Sequence, residues 1–190
     1  MKILLALTWF VLLAAIFLAP NSVNSADAAD TLTRHTARLA ILYWTIAATL
    51  LLVNLRVLAR SIWTLACIAY LIHVARAFDF VHGWSHTAAF RHVEEVSGYG
   101  AGIFISYGFS LLWLLDVLWW ELWTESYEQR PIWLDRAIHL FFAFIVFNGT
   151  VVYETGFIRW AGIAIFILLG ILTVRRFMPS KSVSGINSLP

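Results

Sequence analysis

Apolar positions in this chain come in long unbroken blocks, and the polar positions collect between the blocks instead of alternating with them. The blocks cover residues 4–18, 39–55, 61–77, 100–123, 134–153 and 158–174. A helix rises about 1.5 Å per residue, so roughly 20 mostly apolar residues cross the hydrocarbon core of a bilayer. The last five blocks approach or exceed that length and predict spanning helices. The first is short for a span. It follows Lys2 and precedes Pro20 and a polar stretch with small residues at Ala26-Asp27-Ala28, which is equally the layout of a secretory signal. The pattern therefore predicts an all-α transmembrane bundle of about six spans, or five if residues 1–28 are a cleaved signal peptide rather than a first transmembrane helix. The bundle would occupy residues 29–177, and residues 178–190 read as a disordered cytoplasmic tail.

Composition strengthens this picture. Of the 190 residues, 61% are hydrophobic and only 13% charged, whereas a soluble domain is roughly a quarter charged. The natural solvent is lipid, and the ten Trp and six Tyr suit the membrane interface. A net charge of +2 without a basic run gives no basis for nucleic-acid binding. Cys67 is the single cysteine, which rules out an intrachain disulfide and any Cys-based cluster.

Loop cations set the expected orientation. With Lys2 in the cytoplasm, alternating spans put Arg56, Arg60, Arg130, Arg175, Arg176 and Lys181 on that same side, as the positive-inside bias requires. The polar stretch 79–98 then faces outward, and the C-terminus is cytoplasmic.

Ionisable groups in or beside spans are costly and are functional candidates by default. Most gather toward the outer side: His73, Arg76, Asp79, His82, His86, His92, Glu94 and Glu95, with Asn148 and Glu154 at a similar depth. In His82-Gly-Trp-Ser-His86 two imidazoles stand four residues apart, a spacing that shares one face if the segment is helical. They could hold a metal ion, with His92, Glu94 or Asp79 as a further ligand. The zinc-protease helix motif is excluded, because no Glu follows His82 to act as a general base. Haem is the other cofactor to weigh, and His73 with His139 are the nominees, but they fall near opposite ends of their spans. Toward the inner side, Asp116 and His139 share a depth on consecutive antiparallel spans. They could pair across helices or form one step of a proton path, although few polar groups lie between them and the outer face. Glycines in the last span, Gly162 and Gly170, point to close helix packing.

The combination of His82-Gly-Trp-Ser-His86, Trp113-Leu-Leu-Asp116 with Trp119-Trp120, and Phe147-Asn148-Gly-Thr150 resembles a family of uncharacterised bacterial polytopic membrane proteins, over roughly residues 73–162. The resemblance implies a bacterial inner-membrane location and carries no activity. Three function classes remain open. The leading one is a non-enzymatic membrane component, with the lipid bilayer and other membrane proteins as partners. The rivals are a histidine-ligated metal or haem protein and a small proton-coupled transporter.

Overall fold

A computed structural model describes residues 2–18 and 25–178, with side chains placed for 3–18 and 31–178. The described chain is mostly helical, and no strand occurs among these residues. Eight α-helices follow in order: α1 (Lys2–Leu18), α2 (Ser25–Leu52), α3 (Arg56–Arg76), α4 (His86–Ser97), α5 (Gly102–Leu122), α6 (Thr124–Glu128), α7 (Ile132–Phe147) and α8 (Gly156–Phe177). Two π-helical turns extend spans, Ala77–Val81 after α3 and Asn148–Val152 after α7. Five segments are long and apolar enough to cross a membrane: Thr31–Leu52, Arg56–Val81, Gly102–Leu122, Ile132–Val152 and Gly156–Phe177. The protein is an all-α transmembrane bundle. The shorter apolar α1 packs beside α2 and α3, with Trp9 buried in the common core. The proposed tail beyond Met178 lies outside the described residues.

The spans run antiparallel in turn, which gives the bundle two chemically distinct ends. At the arginine-rich end, α2 turns into α3 through Val53-Asn54-Leu55. Asn54 adopts a left-handed φ of 65° there, a conformation its short polar side chain tolerates better than most. Arg60 reaches across to Glu121 at 2.7 Å and to Thr124, and Arg176 donates to the Leu51 carbonyl. At the histidine-rich end stand the last turn of α3, the first π turn, all of α4 and the start of α5.

Helix association inside lipid gains little from water exclusion and depends on packing and interhelical polar bonds. The core supplies packing through large rings. Trp63 lies 4.9 Å from Phe142 and 5.5 Å from Trp113 between ring centres, and Phe109 lies 4.7 Å from Phe142. Small residues allow close approach elsewhere. A Cβ placed on Gly162 of α8 would come within 2.9 Å of the Thr150 hydroxyl and 3.1 Å of its carbonyl, so α8 sits directly on the second π turn. Gly170 faces open space, so the expectation of packing holds for Gly162 and fails for Gly170.

Candidate functional site

The segment His82-Gly-Trp-Ser-His86 is not a helix. His82 closes the first π turn, Gly83 and Trp84 both take left-handed φ values of 53° and 57°, and Ser85 caps the start of α4 by accepting from the Ala88 N–H. Two consecutive left-handed residues reverse the chain, so the premise that His82 and His86 share a helical face is corrected. A left-handed tryptophan is strained for an L side chain, and its indole N–H is tied back to Asp79 at 3.3 Å. The histidines part at this turn. The His82 ring lies 5.3 Å from that of His92, while His86 bonds the Tyr107 hydroxyl through Nδ1 at 2.8 Å. Among the described residues no group of three or more His, Cys, Asp and Glu side chains stands close enough to hold a metal ion. Burial pushes the His82 ring below the ordinary imidazole value, and the neighbouring His92 adds to the effect.

The other outer candidates are scattered around this turn. Arg76 pairs with Asp79 at 3.6 Å and lies over the rings of Phe17 and Phe80. Glu94 and Glu95 are exposed on α4. Asn148 bonds the Phe144 carbonyl of its own helix. Glu154 sits in the linker ahead of α8.

Below the His-rich turn, within the bundle, lies a cavity of about 340 Å³. Helices α2, α3, α5 and α7 and both π turns wall it. Its surface is mostly apolar, with the rings of Trp44, Tyr70, Phe78, Phe109 and Trp113 prominent and His73, His82, Ser106 and Ser110 among its polar members. Each polar group is locally placed. The His73 Nδ1 donates to the Thr33 carbonyl at 2.9 Å, tying α3 to α2. The Ser110 hydroxyl donates to the Ser106 carbonyl at 2.8 Å and lies 3.0 Å from the Tyr70 hydroxyl. Three buried nitrogens of lining residues have no hydrogen-bond partner: Trp44 Nε1, Trp113 Nε1 and His82 Nδ1. Most buried polar groups in native proteins are paired, so three unpaired groups around one cavity call for a physical reason. Sequence reasoning nominated His73 and His82 but missed Trp44, Tyr70 and Trp113. Their signal was weak, because aromatic residues within spans read equally as packing.

At the other end the pairing of Asp116 differs from expectation. Its carboxylate is fully buried and meets Arg130 at 2.7 Å, while Trp63 Nε1 donates at 2.9 Å and the Tyr127 hydroxyl at 3.1 Å. Arg130 also binds Asp135, and its guanidinium lies 3.8 Å from the centre of the Tyr127 ring. His139 turns away to Asp135 at 3.7 Å and packs edge-on against Trp63. The expected Asp116–His139 pair is therefore replaced by an Asp116–Arg130 ion pair. Arg130, counted above among the loop cations, folds inward because a buried carboxylate needs a cation more than a neutral ring. The Tyr127 phenol is pushed up by burial and by the adjacent Asp116 charge, and so remains a donor. Burial works against the Arg130 charge, but its oxygen neighbours outweigh this and raise it above the ordinary guanidinium value. Every oxygen of Asp116 is occupied by a fixed donor, which is the geometry of a lock between α3, α5 and α6. His139 belongs to this end and His73 to the other, so the two are not arranged as a haem ligand pair.

Comparison with protein-family models, with curated proteins and with solved structures finds no significant match to this chain.

Proposed function

We propose that this membrane protein is a non-enzymatic binding component that holds a small, largely apolar molecule in the cavity beneath its histidine-rich turn. The observation that carries the reading is a largely apolar cavity of about 340 Å³ with a few polar side chains, His73, Ser106 and Ser110 among them, in its lining. Ligand sites of this size are commonly mostly apolar, with a few polar groups that fix orientation. The two π turns support the reading, since such turns inside helices recur at functional sites, and both border this cavity. No catalytic constellation accompanies the cavity. It contains no carboxylate, and its histidines are held by Thr33 or stand against His92.

The orientation belongs to the same proposal. The clustering of Arg56, Arg60, Arg130, Arg175 and Arg176 at one end supports a cytoplasmic arginine-rich end and a cavity on the outer side of a bacterial inner membrane.

Photolabelling tests the binding role. A small apolar aryl diazirine, activated in membranes that hold the full chain, is expected to give saturable adducts at Tyr70, His73 or Trp113. An excess of unreactive analogue is expected to compete them away. Adducts that never saturate and fall only on exposed span residues such as Leu111 and Phe144 would contradict the reading.

A further inference from the structure

The polar atoms of the cavity differ in what they still offer an occupant, and the hydrogen-bond directions can be followed one by one. A carbonyl oxygen only accepts. The contact of His73 Nδ1 with the Thr33 carbonyl at 2.9 Å therefore places the ring proton on Nδ1. In a neutral imidazole that assignment leaves Nε2 as a bare acceptor, and among the described residues nothing donates to it. The second chain runs the same way. The only proton of the Ser110 hydroxyl goes to the Ser106 carbonyl at 2.8 Å, so at the 3.0 Å contact between Tyr70 and Ser110 the phenol must be the donor. The Tyr70 oxygen then keeps lone pairs and no free proton. On this wall the vacant valences accept. The indole N–H groups of Trp44 and Trp113 also lack an acceptor, but they are sealed from the cavity space and take no part in the selection.

A hydroxyl group can donate to such a wall, whereas a ketone or ether oxygen has no proton to give it. The body of the occupant is indicated by the walls. Trp44, Tyr70, Phe78, Phe109 and Trp113 all border the space, and aromatic walls favour contact with another ring over a flexible chain. Resting on the binding role proposed above, we infer that the cavity selects a hydroxylated aromatic ring, a phenol or hydroquinone, by donation of its hydroxyl to His73 Nε2.

The test compares 2-naphthol, its methyl ether and 1-dodecanol as probes of the full chain in lipid nanodiscs, with saturable binding followed by calorimetry against empty nanodiscs. The ether keeps the ring and the acceptor oxygen but has no proton to give. Wild-type protein is expected to bind 2-naphthol about tenfold more tightly than the ether, the effect of one added hydrogen bond. In His73→Phe this preference is expected to disappear. If that variant fails to fold, the wild-type contrast decides alone. Equal affinity for naphthol and ether in the wild type would overturn the hydroxyl inference while leaving the binding role intact, and saturable binding of dodecanol without naphthol would overturn the ring. Absence of saturable binding by all three would remove the binding role and this inference with it.

Discussion

At the scale of single residues, the strongest commitment in the chain is the burial of Asp116 with Arg130. Side-chain exposures of 0% and 3% leave neither charge any water to fall back on. Removing one member strands the other, at a cost of about 3–5 kcal/mol, while replacing both with apolar residues of similar size is often close to neutral. Asp116→Leu is therefore expected to lower the thermal unfolding midpoint in detergent sharply, and Asp116→Leu combined with Arg130→Met is expected to recover most of the loss. A double variant as unstable as the single one would show that the Trp63 and Tyr127 bonds, not the ion pair, carry this end. The sequence made Asp116 conspicuous, since a carboxylate in an apolar block has to be answered. It did not reveal the partner, because Arg130 lies in a polar linker where a cation normally stays in water. His139, the nearer match by depth, is held by Asp135 and Trp63 instead.

At the scale of elements, the spans follow from hydropathy alone. The helices observed match the apolar blocks to within a few residues at most ends, since length and apolarity are what a bilayer selects. The exception is α2, whose backbone helix begins at Ser25, well ahead of its apolar block. The His-rich segment was not legible by the same logic. Equal spacing implies a shared face only on a continuous helix, and Gly83 and Trp84 break the helix. The local signs were Gly83 as a residue free to take positive φ and Ser85 as an N-cap. The broken geometry has a consequence for pH. His82 closes the π turn and meets His92 of α4, with Arg91 and Glu95 beside the same surface recess. Because the folded state lowers the affinity of His82 for a proton, the unfolded chain binds that proton more readily below about pH 6.5, the ordinary histidine value. The fold's preference for the neutral ring is thus costless above that pH, and stability falls as acidification carries His82 through its depressed titration. Histidine NMR titration in micelles is expected to place His82 below the ordinary value, and His92→Gln is expected to move it upward. A His82 midpoint at or above the ordinary value would contradict the burial described for it.

At the scale of the whole molecule, the two ends divide the work. The arginine-rich end joins α3, α5, α6 and α7 through Asp116, Arg130, Asp135 and Glu121. The histidine-rich end contains both π turns and the paired left-handed residues Gly83 and Trp84. Local departures of this kind are tolerated where they shape a cavity, and a firmly pinned opposite end allows them without loss of the bundle. That asymmetry was only half visible beforehand. Charge placement separated the ends, but the cavity arises from how four spans and two π turns meet, which no linear pattern encodes. The α8 helix is the least enclosed of the five spans, and it forms the bundle's flank rather than a wall of the site.

The central claim is that the cavity is a binding site. Native mass spectrometry of the full chain released from nanodiscs tests it most directly, with wild-type protein compared to Ala37→Phe, which places a ring in the space that the Ala37 position borders. 2-Naphthol is expected to add to wild type and saturate at one molecule per chain, and the variant, with an unchanged unfolding midpoint, is expected to take up none. Equal uptake by both proteins, or uptake that rises without saturation, would contradict the claim.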